Sequence, residues 1–218
     1  MQRKLKALKD LAKLYRLREN GARYFQNESA ASKEELPTSR AALKRAVENC
    51  HLCELSKRRN QAFFGSGSGT SGVMIVLEEP NAHEDKECRW YAGPGGEMAR
   101  NIVEKALGLN AETVYLTAAI KCHSAGSRGD YALKCKAFLG AEIEMIQPKI
   151  VIAMGGAAFF ALTGSEEEII AARGKLWQCA FSKCYVAPTY SLNFLRHNVS
   201  LKKEAMADFK FAMSALGR

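Results

Sequence analysis

No stretch of this 218-residue chain approaches eighteen consecutive apolar residues, so no membrane-spanning helix is expected. The first residues are basic but lack the apolar core of a secretory signal, which points to a cytoplasmic chain. No internal repeat marks a solenoid or an array. Seven cysteines are an odd number and do not suit a closed disulfide framework; without a secretory signal they point to reduced thiols. The body of the chain also lacks a charge excess. The net charge is +9, but residues 1–45 hold twelve Lys or Arg against five Asp or Glu, whereas residues 46–218 hold twenty against eighteen. The basicity therefore belongs to an N-terminal arm, residues 1–45, and not to the body, residues 46–218.

What is present suits a globular domain with an extension: 47% apolar and 25% charged residues. In the arm, Leu5, Leu8, Leu11, Leu14 and Leu17 recur every three residues, a pattern for an amphipathic helix. Pro37-Thr38-Ser39 then opens a second helix through Val47. The arm can be a solvated helix packed on the body, a cationic arm for nucleic acid, or a helix that docks a protein partner. In the body, the apolar runs Val73–Leu77, Val114–Ile120, Ile150–Met154 and Tyr185–Pro188 read as strands. Helices are expected over Gly96–Leu107, Phe138–Ile146, from Ala157, and over Leu201–Leu216. This alternation predicts an α/β fold: a three-layer α/β/α sandwich around a mostly parallel four-stranded sheet. Sites in such folds lie at the carboxyl ends of the strands.

Four cysteines stand apart by their spacing. Cys50, Cys53, Cys122 and Cys135 form the series C-x2-C-x68-C-x12-C. Four thiolates suit an iron–sulfur cluster or a tetrahedral zinc ion, and unliganded thiols are the remaining reading. Cys88, Cys179 and Cys184 are expected to be bystanders.

From about Asn49 onward the residues resemble the iron–sulfur type of uracil-DNA glycosylase, family 4. Cys50-His51-Leu52-Cys53 through Phe64-Gly65-Ser66-Gly67 is similar to that family's opening motif. Tyr115–Cys122, Cys135–Leu139, Pro148–Gly155, Arg173-Gly174 and Val186–Tyr190 resemble further family stretches in the same order. The resemblance implies a 4Fe–4S cluster on the four cysteines, with zinc as the alternative. It also implies DNA, single- or double-stranded, as partner, and an extrahelical base in a pocket at the strand ends.

Against the family's G-E-x-P-G-x-x-E-D, this chain has Leu77-Glu78-Glu79-Pro80-Asn81-Ala82-His83-Glu84-Asp85. The resemblance makes Glu84 and Asp85 the catalytic carboxylates and places Glu78, Pro80 and Tyr91 around the base, with Tyr91 as the stacking aromatic. Gly155, Gly156 and Arg196 would contact DNA. Two positions depart from the pattern. The uracil-reading asparagine falls on Ala118. The histidine that would stabilise the departing uracil falls on Ser191, or on Tyr190 under a shifted gap. His83 and His197 are the histidines considered as replacements. The expected function is hydrolysis of the N-glycosidic bond of uracil or a related base, weak or altered in activity. The alternative is a catalytically inactive iron–sulfur protein that binds nucleic acid on the same scaffold.

Overall fold

The computed structural model describes residues 36–37, 39–125 and 130–217. The expected leucine-spaced helix of the arm lies outside the described residues.

Ser39 opens the first helix, α1 (Arg40–Glu48), by accepting a hydrogen bond from the Ala42 amide on its hydroxyl. α1 buries Leu43 and Val47 and runs through the expected boundary at residue 45. A short 3-10 turn follows at Glu54–Lys57. The sheet then begins with β1 (Val73–Leu77), all five residues buried. Two helices, α2 (Ala82–Glu87) and α3 (Gly93–Asn101), lead through a π-turn at Ile102–Ala106 into β2 (Tyr115–Ala118). α4 (Tyr131–Ile146) crosses to β3 (Ile150–Met154), and α5 (Gly156–Thr163) and α6 (Ile169–Ala172) follow. The chain closes with β4 (Trp177–Gln178), β5 (Tyr185–Thr189), α7 (Leu192–His197) and α8 (Lys202–Ser214).

The strands lie in the order β2-β1-β3-β5-β4. β1 pairs in parallel with both β2 and β3, β3 pairs in parallel with β5, and β4 runs antiparallel to β5. The sheet therefore has five strands, not the four expected. The fifth is the two-residue edge strand β4, too short to leave a pattern in sequence.

Successive side chains on a strand point to opposite faces, and here each face carries its own core. Val73, Ile75, Leu77, Ile150, Ile152 and Met154 pack with α8 and the π-turn on one side. Met74, Val76, Val151 and Ala153 pack with α4 and α5 on the other. A third cluster joins α1, the loop before β1 and the start of α4. The expected α/β/α sandwich is thus the fold. None of the described helices is long and apolar enough to cross a membrane.

Topology fixes where the site lies. From β1 the chain turns to β2 on one side, then crosses back to β3 on the other. The crevice between β1 and β3, outside their carboxyl ends, is the switch point. Leu77 and Met154 are register partners, so Glu78 and Gly155 emerge side by side there.

Candidate active site and thiol cluster

Glu78 occupies the switch point. The Ala157 amide at the start of α5 donates to its Oε1 at 3.1 Å, and the nearby Ser191 side chain helps to lower the carboxyl against the larger effect of burial. Gly155 makes this approach possible. Its φ of +108° suits glycine, and a Cβ there would stand 2.4 Å from the Glu78 carboxyl carbon. Gly155 is buried and Gly156 exposed, so of the two glycines expected to meet DNA only Gly156 faces solvent.

Glu84 and Asp85 are both buried and both occupied. Glu84 closes a capping box: its Oε2 accepts from the Asn81 amide at 2.9 Å, while Oδ1 of Asn81 accepts from the Glu84 amide. Its other oxygen accepts from the Tyr91 amide at 3.0 Å. Asp85 accepts from the Asn60 amide at 3.1 Å and from the Asn60 side chain at 3.0 Å. Both carboxylates thus hold loops in place. The sequence signal for this was present in Asn81-x-x-Glu84, a capping-box pattern, beside the reading as a catalytic motif.

The replaced glycine positions are also occupied internally. Leu77 joins the core, and the Asn81 side chain caps α2 and donates to the Ala92 carbonyl at 3.3 Å. Pro80 is buried, and its carbonyl accepts from Nδ1 of His123 at 3.0 Å. The same nitrogen lies 3.4 Å from Oε1 of Glu79, whose other oxygen accepts from the Ser124 amide. His123 is thus the histidine held beside the strand-end loops, whereas His83 and His197 are exposed. Its position directly after Cys122, in the loop that follows β2, was the signal for it.

Tyr91 sits in left-handed backbone, φ +64°, with its ring 4.6 Å below the Arg100 guanidinium. Its hydroxyl is buried with no hydrogen-bond partner among the described residues, and burial pushes it up to about 12. Ala118 is fully buried in the cluster against which Tyr91 packs. Tyr190 is turned away from the switch point: its hydroxyl donates to Glu204, and its ring lies 4.0 Å from Arg173. Of the two candidate histidine positions, Tyr190 is thus engaged with Glu204 and Arg173, while the Ser191 side chain helps to lower the Glu78 carboxyl and caps α7 by accepting from the Phe194 amide at 3.2 Å. Arg196 is exposed on α7 and lines a groove of about 470 Å³ between α3 and α8.

Burial, as the leading cause, pushes the carboxyls of Glu78 and Glu84 above their ordinary range, against the backbone donors that lower them. A carboxyl raised in the folded state favours folding while protonated, below the unfolded value of 4.5. That contribution is lost as pH rises through the folded value. Glu78→Gln should therefore flatten the fall in stability above this window. Urea titrations of both proteins from about pH 4 to about pH 8 test it, and parallel curves would show that Glu78 does not titrate with folding.

The four spaced cysteines belong to one cluster. Cys122 and Cys135 are buried in it, and Cys50 and Cys53 pack against it as free thiols. Cys135 lies in the second turn of α4 and not on a loop. The helix begins earlier than expected because Tyr131 is anchored, its hydroxyl donating to Glu54 at 2.6 Å. Arg59 fastens the site: one nitrogen donates to Cys122 Sγ at 3.1 Å, the other to the carbonyls of Cys50 and Glu48. Burial pushes the Cys122 thiol up to about 11 against the opposing pull of Arg59, with Cys135 and Cys53 nearby. Donor chemistry, clustering and the adjacent cation fit a thiolate-bound centre. As the side chains lie, however, no three His, Cys, Asp or Glu of the described residues surround a single metal ion.

The Uracil DNA glycosylase superfamily matches this chain over residues 64–210. A type-4 uracil-DNA glycosylase from Saccharolobus solfataricus is 31% identical over 179 residues, 78% of this chain and 83% of that protein. One from Sulfurisphaera tokodaii is 30% identical over 177 residues, 77% and 80%. One from Thermotoga maritima is 29% identical over 174 residues, 77% and 90%. With the switch-point carboxylate, the sheet order and this match in hand, the chain belongs to the uracil DNA glycosylase superfamily, among relatives of type 4.

Proposed function

We propose that this chain is a DNA-binding glycosylase of the type-4 kind that hydrolyses the N-glycosidic bond of uracil or a related base with weak or altered activity. The observation that carries the reading is the switch point itself. It keeps a half-buried carboxylate, Glu78, hydrogen-bonded at the start of α5, while Ser191 and Ala118 stand where the family pattern has its donors.

The reaction builds positive charge on the sugar and negative charge on the departing base. A fixed carboxylate at Glu78 serves the first of these. For the second, Ser191 offers only a neutral hydroxyl, and loss of one oxyanion donor commonly costs about 10²–10³ in rate. Ala118 offers no group to read a base edge. Glu84 and Asp85 act as positioning residues that hold the 78–92 segment. Tyr91 borders the base site, and Gly156 and Arg196 meet DNA at the rim.

Cys50, Cys53, Cys122 and Cys135 would hold a 4Fe–4S cluster that ties the start of the body to the end of β2 and the start of α4. Zinc is the competing occupant. Cys135→Ser should lower iron and acid-labile sulfide well below four per chain and reduce the thermal midpoint. Protein purified without oxygen and assayed for iron, sulfide and zinc decides between the two metals.

The function is tested by uracil release from single-stranded and duplex DNA with the same protein. Slow release, or release of another damaged base, supports the reading. Release at the rate of a type-4 enzyme run in parallel would overturn the account of Ser191 and Ala118. DNA binding with no release of any base would favour the non-catalytic alternative.

A further inference from the structure

A second feature lies outside the strand-end site. A groove of about 330 Å³ runs between α1 and the turn that joins α2 to α3. Arg40 and Lys44, one helical turn apart, line it from α1, and Arg89 lines it from the turn. Glu48 is the one acidic residue of its lining. Arg40 is fixed in place: one nitrogen donates to the Gly67 carbonyl at 2.8 Å, and its guanidinium lies 5.5 Å over the Tyr115 ring. Trp90 forms part of the wall and is clamped as well. Its indole N–H donates to the Phe64 carbonyl at 2.8 Å, and its ring meets Phe63 edge-on with centroids 4.9 Å apart. Lys44 and Arg89 have side chains more than half exposed; each is paired at the surface, Lys44 with Glu48 at 3.7 Å and Arg89 with Glu87, and a phosphate would have to displace these carboxylates.

One turn connects the groove to the strand-end site. Cys88 and Tyr91 both adopt left-handed backbone, φ +51° and +64°, and bracket Arg89 and Trp90 between them. Non-glycine residues seldom take this conformation, and such turns concentrate at functional sites. The turn puts Arg89 and Trp90 on the groove and the next residue, Tyr91, against Arg100 of α3. In the sequence, residues 1–35, which precede Arg40, carry nine Lys or Arg against five Asp or Glu.

We propose that this groove binds the sugar–phosphate backbone of a DNA strand, a few nucleotides from the base held beside Tyr91. The proposal rests on the DNA-binding reading above. Lys44 and Arg89 supply the phosphate contacts, Arg40 shapes the wall and adds a fixed charge, and Trp90 offers an apolar surface to a sugar or base. An affinity that depends on this groove does not depend on Ser191 or Ala118, so the chain holds DNA even where the base pocket has lost its donors.

The test measures binding of the full chain to a fluorescent duplex of about 20 base pairs across a salt series. Each contacted phosphate contributes about 0.9 to the slope of log K against log salt on duplex DNA. Lys44→Gln and Arg89→Gln should each lower the slope by about 1, and the pair by about 2. Lys44→Arg should restore it. Lys183→Gln, in the β4–β5 hairpin at the far edge of the sheet, should leave it unchanged. Thermal midpoints confirm that the variants are folded. Unchanged slopes in both groove variants, with wild-type binding intact, would overturn the groove and leave the DNA reading standing. Absence of salt-dependent binding by the wild type would overturn both. Polyglutamate titrated in parallel covers an acidic protein partner: if the variants weaken only that binding, the groove belongs to a protein and this proposal fails.

Discussion

A chain carrying Ala118→Asn and Ser191→His together should release uracil about 10²–10³-fold faster than the wild type. The expectation follows from what each position touches. The Ser191 side chain already helps to lower the Glu78 carboxyl, so an imidazole there would lie near a carboxylate at the switch point. An adjacent carboxylate favours the protonated ring, the form that stabilises charge on the departing base. Ala118 closes β2 beside Leu77, its register partner, and lies in the cluster against which Tyr91 packs. An amide there restores two donors and an acceptor for a base edge.

The change has a structural cost. Ser191 caps α7, and losing a cap costs about 1 kcal/mol. Ala118 is fully buried, so a larger side chain must displace its neighbours. Ser191→His alone is therefore the second variant to measure, with rates normalised to folded protein. If both variants fold, bind DNA and release uracil no faster than the wild type, the missing donors are not what limits the reaction. The side chains of Leu77 and Asn81, where the family pattern has glycine, then become the cause to test.

The second large effect concerns stability. Lys121→Met should destabilise the protein by about 3–5 kcal/mol. Lys121 and Glu142 form an ion pair at 3.0 Å, and both side chains are almost wholly buried. Thr117 completes the unit: it donates to Glu142 at 2.6 Å and accepts from Lys121 at 2.8 Å. The Gly65 amide adds a long bond to Glu142 at 3.4 Å. Removing the lysine leaves a buried carboxylate with neutral partners only, and desolvated charge without a counter-charge is costly. For a chain of this length the loss corresponds to a fall of about 6–20 °C in thermal midpoint. The double variant Lys121→Met with Glu142→Leu should recover most or all of it, because replacing a buried pair with apolar residues is often neutral or stabilising. A single variant within about 1 kcal/mol of wild type would show that water reaches the pair. Lys121 also precedes Cys122, so iron content measured on the same variants separates a loss of fold from a loss of the thiol site.

Much of the scaffold was legible because strand burial leaves a simple trace. β1 and β3 are unbroken apolar runs buried on both faces, and both were read within their bounds. The spaced cysteines were also legible as one group, since they gather in a single cluster. Other elements left no trace. β4 has two residues, and α2 is a polar helix whose existence depends on Asn81 and Glu84 capping each other. Glu84 shows the difficulty most plainly. A motif names the residue, but only the Tyr91 and Asn81 amides reveal that both its oxygens are taken. The position of the lost histidine was open between Ser191 and Tyr190 for a similar reason. What Tyr190 touches is set far away in sequence, by Glu204 and Arg173.

The edges of the sheet carry a last consequence. Beside β2, the Phe63 amide donates to the Lys121 carbonyl and Ser66 bridges Leu116 in both directions. At the far side the sheet ends in a strand of two residues. Exposed strand edges are the usual template on which one chain recruits another by backbone pairing. Here one rim is already spoken for and the other is too short to offer a register. Among the described residues, two copies crowded together have little strand edge through which to grow into a common sheet.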